Sequence, residues 1–263
     1  MYALNYVRPN SLAEASKLLA ANPEAKLLAG GMTLVPTLKQ RLAKPSHLVD
    51  IAQLPELRGI TMKGGKIEIG AATRHHEVAT SAVVKKAISA LAELAGLIGD
   101  PQVRNLGTLG GSVANNDPAA DYPAAVLGLG ATVVTTRREI AADDFFKGMF
   151  STALADGEII VRIAFPVPKR AAYAKFHHPA SGYAMAGVFV AVTAQGVRVA
   201  VTGAGPGVFR WKQAEAALAK SLKPTALDDV ALKAVDLNED IHATREYRAN
   251  LVRVMAKRAL AKL

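Results

Sequence analysis

Residues 99–121 read Gly99-Asp100-Pro101-Gln102-Val103-Arg104-Asn105-Leu106-Gly107-Thr108-Leu109-Gly110-Gly111-Ser112-Val113-Ala114-Asn115-Asn116-Asp117-Pro118-Ala119-Ala120-Asp121. The abundance of Gly, Asn, Asp and Pro predicts little regular structure from Asp100 to Tyr122, and irregular stretches of that length are usually functional. Its centre, Thr108 to Ser112, has a counterpart upstream in Ala29-Gly30-Gly31-Met32-Thr33, between a buried strand (Lys26 to Ala29) and a helix (Thr33 to Leu42). Paired glycines permit φ > 0 and close approach of a ligand. Successive N–H groups then point into one concavity that suits an anion. Thr33, Thr108 and Ser112 add hydroxyls, and the first loop adds the positive end of the helix after it. Neither loop holds Lys or Arg. Backbone donors alone suit a pyrophosphate that is held, not a phosphate in transfer. A Gly-Gly pair by itself is also simply a tight turn, so the surrounding sequence has to decide.

Toward the N-terminus, Ser11 and Glu14 form a capping box for a helix that Pro23 ends. His47 to Ile51 returns as a strand. Beyond Leu57 the period shortens to two: Ile60 and Met62, a Gly64-Gly65 turn, then Ile67 and Ile69, which is a β-hairpin. That change places a lobe boundary at residue 54. Val83 to Leu97 predicts one helix. Toward the C-terminus, strands at Ala131–Thr136 and Glu158–Phe165 lead to Pro166 and Pro168, a second boundary. Gly187–Thr193 and Val197–Thr202 then pair about Gln195-Gly196, and helices are predicted at Trp211–Ala219, Leu227–Val235 and Glu246–Leu260. The chain is α+β in three parts: 1–54, 55–168 and 169–263.

The 263 residues include no cysteine, which excludes disulfides, cysteine-held zinc or iron–sulfur clusters and a Cys nucleophile within this chain. Lys and Arg number 32 against 22 Asp and Glu, a net charge of +10. The charges are dispersed and aromatics make up only 5%, so a nucleic-acid surface is not expected. The longest uncharged stretch, Tyr122 to Thr136, is broken by Pro and Gly and falls short of the ~20 residues of a membrane span. Met1 to Leu12 does not read as a signal peptide. No P-loop and no nucleophile elbow occur, and Gly128-Leu129-Gly130 and Gly203-Ala204-Gly205 lack the third glycine of a dinucleotide fingerprint. The pairs His75-His76 and His177-His178 are read as surface or loop histidines, because neighbours on a strand face opposite ways.

Residues 99–121 resemble the flavin-binding subunit of the molybdenum hydroxylases, the xanthine dehydrogenase and carbon monoxide dehydrogenase group. There an A-G-G-x-[ST] loop and a T-[IL]-G-G-[NS] loop clamp the FAD pyrophosphate, and both occur here in family order. The likeness extends to Tyr6-Val7-Arg8-Pro9 with Leu12-Ala13-Glu14-Ala15, and to Arg245-Glu246-Tyr247-Arg248 with Met255-Ala256-Lys257-Arg258-Ala259-Leu260. It therefore covers essentially the whole chain. Two positions depart: Ser112 stands where Asn is frequent, and Gly182 replaces an Asp after Lys175-Phe176, with the following aromatic kept as Tyr183.

The resemblance implies a two-lobed FAD-binding fold of the vanillyl-alcohol-oxidase type plus a small C-terminal α+β domain with a three-stranded sheet. It implies that Leu27, Leu28, Ala29, Gly30, Gly31, Met32, Thr33 and Leu34, together with Gly107, Thr108, Gly110, Gly111 and Ser112, hold the pyrophosphate. Ile98, Gly99 and Val103 would line adenosine or flavin. Asp121 would accept from a ribose or adenine donor, or else cap a helix. Ile160, Lys175 and Tyr183 would lie near the isoalloxazine, with Lys175 stabilising the anionic reduced flavin unless it is an exposed strand lysine. FAD would be noncovalent. Molybdopterin and [2Fe–2S] clusters would belong to a large and a small partner subunit, in a dimer of heterotrimers. The complex would be cytoplasmic, with any membrane association made through the complex and no span in this chain. The chain would pass electrons from the clusters to NAD⁺, a quinone or oxygen, and would not act on substrate alone. The alternatives are a standalone FAD-dependent oxidoreductase, against which the small third part speaks, and a flavin-fold module without catalysis, against which the intact glycines speak. The tail predicts a helix with Tyr247, Leu251, Val254 and Met255 as an apolar stripe. Arg245, Arg248, Arg253, Lys257 and Arg258 would fall on or beside its solvent side, either as the solvated face of a helix packed on the third part's sheet or, in part, as a surface that meets an acidic face of the iron–sulfur or molybdenum subunit.

With no Cys and no evident His attachment point in the first lobe, flavin is expected in the supernatant after heat denaturation. Flavin absorbance retained by the precipitate, or FMN in its place, would contradict this.

Overall fold

A computed structural model describes residues 1–263. The N-terminal part comprises β1 (Asn5–Val7), α1 (Leu12–Ala21), β2 (Lys26–Leu28), α2 (Leu34–Lys39) and β3 (His47–Asp50). Its strands form a parallel sheet in the order β1-β3-β2, with Tyr6 opposite Leu48 and Leu27 opposite Val49. Ser11 caps α1 by accepting the Glu14 N–H at 3.1 Å, while the Glu14 carboxylate accepts from Asn10, one residue before the expected partner, at 2.7 Å. β1 carries no local signal, and its three residues are held by their pairing with β3. β2, read as buried, is an edge strand with Lys26 exposed and Leu27 and Leu28 half-buried. α2 ends at Lys39, short of Leu42, and Arg41 just beyond takes a left-handed φ of 60°.

The hairpin β4 (Ile60–Lys63) and β5 (Lys66–Gly70) turns as expected on Gly64 and Gly65, at φ 54° and 74°. Then come α3 (His75–Thr80), α4 (Ala82–Ala87), α5 (Ser89–Gly96), α6 (Pro101–Leu106), α7 (Leu109–Asn115) and α8 (Tyr122–Leu129). They are followed by β6 (Thr132–Thr135), β7 (Glu139–Ala141), α9 (Ala142–Phe145), β8 (Phe146–Gly148), β9 (Ser151–Thr152) and β10 (Ile160–Pro166). An antiparallel sheet runs β4-β5-β10-β6-β7. The single helix expected over Val83–Leu97 is two, because the backbone breaks at Ile88 (φ −142°, ψ 73°) and its side chain is buried in the core. The segment after Asp100 is largely helical, against expectation. Asp100 accepts the Val103 N–H at 2.7 Å and Thr108 accepts the Gly111 N–H at 3.2 Å, so side-chain caps start two helices too short to show a period. Every residue of α8 is buried, and a helix apolar all round shows no amphipathic pattern.

The C-terminal sheet has four antiparallel strands, not three: β11 (Arg170–His177), β12 (Ala184–Thr193), β13 (Gly196–Thr202) and the two-residue β14 (Phe209–Arg210). α10 (Lys212–Lys220) and α11 (Arg245–Leu260) cover one face. The helix expected at Leu227–Val235 is replaced by 3₁₀ turns at Pro224–Leu227 and Ala234–Asp236. The other face lies on α8. Tyr173, Phe189 and Ala191 enter the core that also holds Ile69 and Leu91, while Ala172, Ala174, Val188 and Val190, at alternate positions, enter the core beneath α11. A Cβ at Gly128 of α8 would stand 2.9 Å from Phe189 Cδ1, so this glycine sets how closely helix and sheet approach. No helix is long and apolar enough to cross a membrane.

The tail helix forms, but its faces differ from the expectation. Arg248 is buried and donates to the carbonyls of Met185 (3.0 Å) and Gly203 (3.1 Å) and to Asp240 (2.6 Å). Tyr247, assigned to the apolar stripe, is exposed, and Val252, Ala256 and Ala259 complete the buried face with Leu251 and Met255. Arg248→Leu would leave two buried carbonyls without donors. It is expected to lower stability by about 3 kcal/mol, read as a fall in the urea midpoint at unchanged m-value.

Candidate cofactor site

The two glycine loops, one following β2 and the other leading from α6 into α7, meet backbone to backbone. A Cβ at Gly30 would run into the Leu106 carbonyl and stand 2.6 Å from Gly107 Cα. The Ala29 methyl lies 3.9 Å from the Cβ position of Gly111. Behind the second loop, Leu109 and Gly110 donate to the carbonyls of Thr73 (3.0 Å) and Ala71 (2.8 Å), and a Cβ at Gly110 would stand 2.8 Å from Ala71 Cα.

The loops are not equivalent. In the first, only Gly31 has a positive φ, 71°. The backbone N–H groups of Gly30, Gly31, Met32 and Thr33 meet no backbone acceptor, and Val35 is the first to donate back, to Gly31 at 2.9 Å. The residues from Leu27 to Met32, and Leu34, are half-buried, and Thr33 is exposed. In the second loop the expectation of φ > 0 fails: Gly110 and Gly111 are helical residues in the first turn of α7. Their glycines answer a need for space, and their N–H groups are engaged by Ala71 and by Thr108 Oγ1. Ser112, half-buried, donates its N–H to the Thr108 carbonyl at 3.0 Å. Four free donors in a concave turn, closed by a rigid glycine wall, fit the diphosphate of a dinucleotide.

Before the second loop, the Arg104 guanidinium holds the carbonyls of Ile98 (3.1 Å) and Gly99 (2.7 Å), and Gly99 turns at φ 52° against Val103. Asp121 caps nothing. Its carboxylate, 4% exposed, accepts from the Tyr173 hydroxyl at 2.5 Å and from Lys175 Nζ at 2.9 Å. Lys175 is not an exposed strand lysine: its side chain is 1% exposed and also donates to the Leu97 carbonyl at 3.1 Å. Burial raises the Asp121 carboxyl, opposed by Lys175 and Tyr173, and burial raises the Tyr173 phenol. Gly187, opposite Lys175 in β12, leaves the space the Tyr173 hydroxyl fills. Ile160 packs its side chain into the core on β10. Tyr183 is 45% exposed beyond Gly182, whose φ of 71° suits glycine better than the Asp it replaces.

His75 corrects the reading of the histidine pairs. It is buried on α3, its ring centroid 5.3 Å from that of Tyr122 and its Nε2 against Gly107. Burial, with Arg104 nearby, pushes the imidazole down to about 4. No group of three metal-ligating side chains forms. His75 and Tyr173 escaped the sequence reading because their partners are distant in the chain. Gly187 was the available signal for Tyr173, since a glycine inside a strand marks a close approach.

A donor cradle and facing glycine wall suit a protein of the nucleotide-cofactor class, flavoproteins among them. The model of the FAD binding domain in molybdopterin dehydrogenase matches residues 2–168, and that of the CO dehydrogenase flavoprotein C-terminal domain matches residues 171–263. The chain is 36% identical to the carbon monoxide dehydrogenase medium chain of Hydrogenophaga pseudoflava, over 97% of this chain and 95% of the relative. It is 34% identical to the nicotine 6-hydroxylase medium subunit of Paenarthrobacter nicotinovorans, over 98% and 96%. A crystal structure of the Cu,Mo-CO dehydrogenase in its cyanide-inactivated form matches with a TM-score of 0.92 at 34% identity, covering 98% of this chain and 96% of that one. The chain belongs to the FAD-binding medium subunits of the molybdenum hydroxylase family. Its cofactor is FAD, and it is a subunit of an oxidoreductase.

His75 gives the fold a pH dependence. Its folded value of about 4 lies below the ordinary 6.5, so between these the unfolded chain binds a proton that the folded chain does not. The contribution is therefore complete above pH 6.5 and lost as pH falls toward 4, by about 3 kcal/mol in all. Urea midpoints across this range should fall more steeply for the wild type than for His75→Gln; parallel curves would refute it.

Proposed function

We propose that this chain is the electron-carrying station of its complex. Through its FAD it takes electrons from [2Fe–2S] clusters of a small partner subunit and delivers them to NAD⁺, a quinone or oxygen. A large molybdopterin subunit acts on the substrate, within a cytoplasmic dimer of heterotrimers. The observation that carries the reading is the row of free N–H groups from Gly30 to Thr33, set against the Thr108–Ser112 wall. Bound FAD supplies a redox group that exchanges electrons singly or in pairs.

The chain's own residues bind and orient. The first loop meets the pyrophosphate charge with backbone dipoles. The second loop, its N–H groups engaged internally, offers a fixed surface and the Ser112 hydroxyl. Leu27, Leu28, Ala29, Leu34, Ile98, Gly99, Val103 and Gly107 supply the walls. Lys175 meets the flavin as half of an ion pair, so its positive field is compensated by Asp121, and Tyr173 holds that carboxylate in place. Tyr183 offers an aromatic face, and Ile160 offers its strand backbone because its side chain lies in the core.

Two measurements test this. Gly30→Val forces the loops apart and should abolish flavin absorbance while leaving circular dichroism unchanged; full flavin occupancy would make the loop a mere turn. In the assembled complex, substrate should bleach the flavin only when the small subunit is present, and bleaching without it would sink the relay.

A further inference from the structure

A cleft of about 560 Å³ lies away from the glycine loops. It lies between β8 and the segment Pro206–Trp211, with Phe146, Phe209, Leu232 and Leu237 among its apolar walls and Lys147 and Lys233 on its banks. Neither lysine forms an ion pair, whereas Arg210 in the same wall is shared by Asp143 and Glu215; one acid, Asp236, also lines the cleft.

Beside the cleft, the β8–β9 turn holds Met149 and Phe150 in solvent, 54% and 58% exposed. Phe150 sits at φ 52°, a conformation that strains a bulky residue. Asn116, itself at φ 45° and 1% exposed, imposes it: its carbonyl accepts the Phe150 N–H at 3.1 Å, and its Nδ2 donates to the carbonyls of Gly148 and Ser151, each at 2.7 Å. Two of the chain's three non-glycine residues with positive φ thus form one device. A strained aromatic held in water by a buried amide costs the free chain stability, and such strain collects at functional surfaces. Asn116 caps the end of α7, whose first turn is the second glycine loop. Exposed Tyr183 borders the same segment, because the N–H of Ala184 donates to the Ala119 carbonyl at 3.3 Å.

We propose that the Met149–Phe150 knob and the adjoining cleft form the docking surface for the iron–sulfur subunit. The matching face carries an apolar pocket for Phe150 and an apolar segment flanked by acids for the cleft. Charge complementarity selects the acids, since Lys147 and Lys233 are unpaired on a chain of net charge +10. Position selects the partner, since the segment Asn116–Ala119 ties the knob to Tyr183, which the reading above sets beside the flavin ring that an electron donor must approach. This step rests on the electron-carrying reading above.

The test uses the full chain with its FAD and the co-expressed iron–sulfur subunit. Phe150→Gly removes the knob and the strain together. It should keep full flavin absorbance, raise the thermal midpoint by about 2 °C and weaken subunit affinity by about tenfold or more. Met149→Ser should keep flavin and midpoint and weaken affinity. The Lys147→Glu, Lys233→Glu double variant should do the same, most strongly at low salt. Unchanged affinity in all of these overturns the proposal. So does weakening toward the molybdenum subunit alone, or flavin loss from Phe150→Gly, which would assign the tip to the cofactor site. A wild-type chain without flavin would instead strike the electron-carrying reading, and wild-type absorbance is measured first.

Discussion

At Gly30 the main chain of the first lobe lies against the main chain of Leu106 and Gly107, and no side chain can stand between them. Dispersion and exclusion at such a contact are steep functions of distance, so one added carbon would separate the loops. Everything that makes the site follows from this closure. It brings the free donors of Gly30–Thr33 opposite α7, and it stacks Gly107 between Gly30 and the His75 ring. The hydrogen bonds from Leu109 and Gly110 into the β5–α3 connection then fix the wall to the large sheet. Under the reading proposed above, the cofactor would be met by one loop that has donors to give and one that has geometry to give.

The second constraint is the buried pair of Lys175 and Asp121. Such a pair contributes little net stability, because desolvation offsets the attraction, but breaking it leaves an uncompensated charge at a cost of about 3–5 kcal/mol. Its value here is positional. Tyr173 and Lys175 are on β11, Asp121 opens α8 and Leu97 follows α5, so one cluster of polar contacts registers three elements. Gly187 supplies the room on the sheet side, and Gly128 of α8 lets the helix approach Phe189 of that sheet.

The loops were legible because glycine at a close approach leaves a mark in any sequence; of the two reasons that favour paired glycines, only the need for space holds at Gly110 and Gly111, and not a positive φ. The hairpin on Gly64-Gly65 and the β12–β13 pair were legible because strands of period two declare themselves. What failed to show had no local signal. α6 and α7 are shorter than the window a helical period needs, α8 is apolar on every side, and β1 exists only through its pairing with β3. His75 and Arg248 read as surface groups because the neighbours that bury them come from elsewhere in the chain. The Asp121–Lys175 pair joins residues 54 apart, and no motif can announce a contact of that span.

The connection at Pro166–Pro168 looks like a seam, yet the interior does not divide there: Tyr173 and Phe189 share a core with Leu91 and Val126. A gene rearrangement that exchanged everything after Pro168 for a cousin's sequence would inherit a sheet of the right shape. It would not inherit a matched answer to Asp121, nor the ring that fits over Gly128. The two halves of this chain must therefore diverge in step, each substitution in β11 or β12 answered in α8. Recombination across the seam would be punished inside the molecule and not at its surface.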